Sequence, residues 1–278
     1  MTTATVQTPA HRTAARPRSR ALDTLTQTWW MTHRQFAAFV RQPAYFVITL
    51  IQPVVWLFLF GALFRKVVDL PGFGTGSYLD YLVPGVIVMS SISSNMWAGM
   101  GTLEDIERGT LNRFLITPVS RSALMNGNVV SQAVTTAVQS IIIILLGAAG
   151  GADYAGGVLG LALLVVASSA LGVVFGAFSN TIGMLARQRE TIIGINTMLL
   201  LPLTFLSSAF MPPSLMPHWI VVISRFNPVN WALETGRAVT SAHTDWWSVL
   251  SHGGWLVLLA AVAVWLSIRT FRTYQKAV

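Results

Sequence analysis

Six long apolar stretches alternate with polar or proline-rich segments along the chain. They run approximately from Ala44 to Phe64, Leu82 to Gly101, Asn128 to Ala149, Gly157 to Phe178, Thr191 to Met211, and Val249 to Ile268. Each has about the 20 residues that a helix needs to cross a hydrocarbon core of ~30 Å, where backbone groups must be satisfied within the segment. None of the 28 Asp, Glu, Lys and Arg side chains falls inside a stretch, as the cost of burying charge in lipid demands. The pattern predicts an all-α, polytopic membrane protein with six transmembrane helices over residues 44–268.

The flanking segments read differently. Residues 1–21 hold Arg12, Arg16, Arg18 and Arg20 among Thr, Ala and Pro. With no apolar core this is not a secretory signal, and it reads as a disordered cytoplasmic tail, an organelle transit peptide being the minor alternative. In residues 22–43, Leu22, Leu25, Trp29, Phe36 and Val40 recur at helical spacing, predicting an amphipathic interfacial helix that turns into the membrane near Pro43. Residues 212–248 carry four prolines around apolar pieces too short to cross a bilayer. They predict a long, partly re-entrant external segment before the last helix, with a small external cap as the other reading. Residues 269–278 form a C-terminal tail.

Composition agrees with lipid as the solvent: 53% of residues are hydrophobic and 10% charged, against roughly a quarter charged in soluble domains. Eighteen basic against ten acidic residues leave a net charge of +8. Fourteen of the eighteen fall on the side that holds both termini, which predicts cytoplasmic termini in an inner (plasma) membrane. Basic residues lie between apolar blocks rather than clustered with aromatics, so nucleic acid is not a partner. There is no cysteine, which removes thiolate metal sites and disulfides, and no metal site is expected.

Between the second and third spans, Thr102 is placed to cap a helix with Asp105 three residues on, and Glu104, Asp105 and Glu107 lie toward its positive end. Glu104 can pair with Arg108 one turn later. Leu111, Phe114 and Leu115 then offer an apolar knob before Thr117 and Pro118 stop the helix.

This segment resembles the type-two ABC exporter permeases, and within them the daunorubicin-resistance-type transmembrane subunits. Glu107, Gly109, Leu111 and Arg113, followed by Thr117-Pro118 and Arg121, carry the likeness, as do Asn227-Pro228 and Arg237 ahead of the last span. The resemblance implies a permease that moves a hydrophobic or amphipathic substrate, a drug, antibiotic or lipid, outward. It implies that a separate nucleotide-binding ATPase subunit binds ATP and Mg, and that the permease pairs with a second copy of itself or a homologous permease. It also implies that Glu104, Asp105, Glu107, Arg108, Leu111, Arg113, Phe114, Leu115, Thr117 and Pro118 couple the two subunits.

The chain offers no phosphate-binding loop, since neither Lys66 nor Lys276 follows glycine or precedes Ser or Thr. Hydrolase and metalloprotease motifs are also lacking, so the chain is not expected to be catalytic or to hold a cofactor of its own. Four larger polar residues fall within spans, Gln52, Asn95, Gln139 and Asn196. They read either as a substrate path or as helix-to-helix hydrogen bonds. The alternative functions are an ion-coupled secondary transporter, which would place Asp, Glu or His near the bilayer centre, or a channel.

Overall fold

The computed structural model describes residues 43–70, 77–108, 121–241 and 244–274. The tail 1–21, nearly all of the 22–43 segment, and Leu111 through Pro118 lie outside the described residues. Among the described residues every regular element is helical. In chain order these are α1 (Pro43–Val55), α2 (Tyr78–Asn95), α3 (Ala98–Glu107), α4 (Arg121–Ala149), α5 (Gly157–Ala186), α6 (Arg189–Phe205), α7 (His218–Ser224), α8 (Pro228–Thr240) and α9 (Trp246–Tyr274).

The element ends have local causes. Pro53 interrupts α1, and the chain continues through a π turn at Trp56–Phe60 and a last turn at Gly61–Leu63. Ser77 opens α2 with a capping box, its hydroxyl accepting from the backbone while the Asp80 carboxylate takes the Ser77 amide. Arg187 adopts the left-handed conformation at φ 52° and separates α5 from α6. Asn227 caps α8, with Pro228 at its first position.

Three of these helices carry stretches long and apolar enough to cross a membrane, Gly127–Ala149, Gly157–Ala186 and Trp246–Phe271. The first predicted span falls on α1 and its π turn, the second on α2 and the start of α3, and the fifth on α6. α5 is the hub and touches α2, α3, α4, α8 and α9. Two apolar clusters fill the interior, one around Leu171, Val229 and Leu233, the other around Leu82, Ile87 and Leu164. Outward, α9 exposes Leu250, Trp255, Val257 and Leu258, an apolar exterior suited to lipid.

One expectation changes and one open alternative narrows. The fifth span was expected to stay helical to Met211, but α6 stops at Phe205. Pro202 lies in its last turn, and the carbonyls freed beyond it find donors on other elements, described below. The segment before α9 does not stand apart as a cap, for Val229, Ala232 and Leu233 of α8 enter the core beside Leu171, so this stretch folds back into the bundle.

Candidate functional site

The second span is broken. It was expected to run unbroken to Gly101, with Thr102 opening a new helix; instead α2 ends at Asn95 and α3 begins at Ala98. Thr102 therefore lies inside α3, buried, and its hydroxyl donates to Asn180 Oδ1 on α5 at 2.9 Å. The break is held from outside. The Met96 carbonyl accepts from Ser179 Oγ of α5 and from Asn196 Nδ2 of α6, while the Gly99 amide donates to Ser179 Oγ at 3.0 Å. Backbone groups freed at membrane depth must be satisfied by neighbours, and here two helices supply the donors. The approach is close: a Cβ on Gly99 would lie 2.2 Å from the Ser179 carbonyl oxygen, and one on Gly183 2.6 Å from that of Gly99.

From this joint α3 runs to the charged end of the bundle. Arg108 donates to Glu104 at 3.2 Å, the pair expected one turn apart, and Arg189 at the start of α6 donates to Glu107 at 2.5 Å. The Arg189 hydrogen bond and charge hold the Glu107 carboxyl below its ordinary range, and Glu107 raises Arg189 in return. Glu104, Asp105 and Arg108 line a cleft with Asn128, Gln132 and Asn180. Glu104, Asp105, Glu107 and Arg108 are thus gathered on one short helix pinned to α5 and α6. Leu111, Arg113, Phe114, Leu115, Thr117 and Pro118 lie outside the described residues.

The four polar residues within spans separate into two groups. Gln52 lines a groove between α1 and α2. Beside it, Gln139 accepts from Ser94 Oγ at 2.9 Å and donates to Thr49 Oγ1 at 3.5 Å, with Thr49 and Ser94 also on the groove wall. Asn95 points into the bundle and donates to the Ser91 carbonyl at 2.7 Å and Thr136 Oγ1 at 2.8 Å, a helix-to-helix bond of the ordinary kind. Asn196 belongs to the joint, and its Oδ1 is buried with no partner among the described residues.

At the opposite end, Arg237 of α8 is enclosed by neutral acceptors. It donates to Ser208 Oγ at 2.9 Å, the Ser208 carbonyl at 2.8 Å and the Ala209 carbonyl at 3.2 Å, and its guanidinium lies 3.6 Å from the Tyr81 ring centre. Asn227 Nδ2 donates to the carbonyls of Leu203 and Leu206, and Tyr78 Oη to that of Phe210. These donors are why residues 206–210 leave the helix without stranding their backbone. Glu234 accepts from Asn230 Nδ2 at 2.7 Å and pairs with His252 at 2.8 Å.

Sequence reasoning missed Ser179, Asn180 and Arg189, whose partners lie about eighty positions away. Arg189 was visible as a charge between spans; nothing local marked its partner.

Residues 26–240 match the ABC-2 type transporter family. A daunorubicin resistance ABC transporter permease protein of Streptomyces coeruleorubidus is 26% identical over 260 residues, 91% of this chain and 86% of that one. A protein of Cyanophora paradoxa named as a transport permease, ycf38, is 28% identical over 225 residues, 78% of this chain and 74% of its own. A Mycobacterium tuberculosis protein named as a doxorubicin resistance ABC transporter permease is 19% identical over 213 residues, 77% and 76% of the two chains.

Proposed function

Because the chain belongs to the ABC-2 type transporter family and is a multi-pass transport permease, we propose that it is the membrane half of an exporter driven by a separate ATPase subunit. That subunit binds ATP and Mg, and the permease works as a pair, with a second copy of itself or a homologue. The cargo is a hydrophobic or amphipathic molecule taken from the cytoplasm or the inner leaflet, in keeping with the drugs in the names of two relatives. Both termini and the charged end face the cytoplasm, as the distribution of basic residues argues.

One observation carries the coupling role. α3, the helix that leads into residues 109–120, is tied sideways to α5 and α6 through Thr102–Asn180, Gly99–Ser179 and Glu107–Arg189. Energy released in another subunit reaches membrane helices only through contiguous contacts that have discrete arrangements. A docked segment continuous with α3 would move α5 and α6 together.

The test is to co-express a candidate ATPase with the wild-type chain and with Phe114→Asp. The variant is expected to keep its membrane insertion and pairing while losing stimulation of ATP hydrolysis and export by about tenfold or more, since a charge placed in an apolar contact leaves it unpaired there. Equal coupling by both proteins would sink the docking role.

A further inference from the structure

The groove between α1 and α2 carries hydrogen-bonding capacity that a lipid chain cannot use. Gln52, Ser90 and Ser93 line it, and none of the three has a hydrogen-bond partner among the described residues. In a helix bundle bathed in hydrocarbon, idle amide and hydroxyl groups are costly, so whatever fills this groove is polar. Trp56 and Trp97 also contribute to the lining, and each indole presents a flat apolar face. Asp, Glu, Lys, Arg and His are absent from the lining residues, which leaves a charged occupant without a counter-ion.

Size narrows the occupant further. The groove holds about 120 Å³, somewhat less than an engineered cavity of about 150 Å³ that accepts benzene. One six-membered ring fits and a polycyclic body does not. The α1 wall is shaped by departures from regular helix: Pro53 stands in it with no amide hydrogen, and the π turn begins at Trp56. Behind it, the Gln139 amide fixes Ser94 and Thr49 from α4.

We propose that this groove grips a single uncharged, hydroxyl-bearing ring of an amphiphile, stacked against an indole and hydrogen-bonded by Gln52, Ser90 and Ser93, while the rest of the molecule stays in the bilayer. A plain acyl chain satisfies the indoles and leaves the polar groups idle; a charged headgroup does the reverse. The ring is a sugar on a lipid or a hydroxylated aromatic ring, which share this chemistry. The proposal rests on reading the chain as an export permease and names the substrate class that its outer wall selects.

Native mass spectrometry of the full-length protein in detergent tests it with two matched pairs: glucosyl diacylglycerol against diacylglycerol of the same chains, and 4-octylphenol against octylbenzene. The hydroxyl-bearing member of at least one pair should be retained about tenfold over its bare partner, the worth of one or two neutral hydrogen bonds. The responding pair identifies the source of the ring. Gln52→Leu with Ser93→Ala should abolish the preference and leave thermal unfolding unchanged, because neither side chain bonds another group of the protein among the described residues; Ser93→Ala alone, which removes a single oxygen, should halve it or more. Equal retention within both pairs, or an unchanged preference in the variants, overturns the proposal, as does a change of oligomeric state in Gln52→Leu, which would make the occupant another copy. Phe114→Asp should bind the ring as wild type does. Loss of ring binding with ATPase coupling intact would refute only the groove, and the opposite result only the exporter reading.

Discussion

The two ends of the bundle hold their charges in opposite ways. At one, Glu107 and Arg189 meet across α3 and α6 with both side chains 47% exposed, in a setting where water and salt screen such pairs and leave them weak. At the other, Arg237 has no carboxylate at its guanidinium among the hydrogen bonds described, and instead takes the carbonyls of Ser208 and Ala209, the Ser208 hydroxyl and the Tyr81 ring. The first contact can open and close at little cost. The second is part of how residues 206–210 hold their shape, for removing the cation strands several buried acceptors at once. The difference follows from solvent rather than from residue type.

The sharpest way to break this contrast is at the fixed end. Arg237→Met should destabilise the detergent-solubilised protein by about 3 kcal/mol or more, because each orphaned buried acceptor costs ~1–3 kcal/mol. Thermal unfolding measures this, and a loss below about 1 kcal/mol would mean that the loop carries itself. Next in size is Gly99→Ala. Its new methyl meets backbone, not a flexible side chain, and overpacking of that kind costs ~1–3 kcal/mol. α3 should loosen from α5, seen as faster hydrogen exchange of residues 98–107, with the Arg237 region unaffected.

The smallest effect belongs to the exposed pair. Glu107→Arg should leave thermal unfolding indistinguishable from wild type yet weaken the spin-label distance coupling between α3 and α6, and adding Arg189→Glu should restore it. The pH dependence has a definite sign. The Glu107 carboxyl titrates below its ordinary value of 4.5, so the tether contributes above that value and is lost as pH falls through the depressed one. The α3–α6 distance should stay constant through neutral pH and lengthen only in acid. A change near neutrality would point to another group.

Much of this architecture was readable from residue order. The six apolar stretches mark helices because a hydrocarbon solvent imposes one length and one polarity on each. The Glu104–Arg108 pair is local, four positions apart, and was legible for that reason. What the residues did not reveal was decided across the bundle. Thr102 has every local feature of a helix cap, but Asn180, on another helix, takes its hydroxyl. Met211 continues an apolar run, but Asn227 and Arg237 donate to carbonyls of residues 203–209 while Asn230 Oδ1 accepts from the Ser208 amide, and the backbone there need not stay helical. Gln52 and Gln139 were grouped with Asn95 and Asn196 by polarity alone, whereas Gln52 lines the groove and Gln139 holds two of its wall residues from behind.

The interruption at Met96–Trp97 has a mechanical corollary. α3 is an arm of ten residues, roughly 15 Å long at 1.5 Å per residue, and it joins α2 at a peptide carbonyl clasped by two side chains. If force enters at the Glu107 end, as the proposed coupling requires, it would reach α2 across this joint as torque rather than thrust, and the ties to α5 and α6 would carry it sideways.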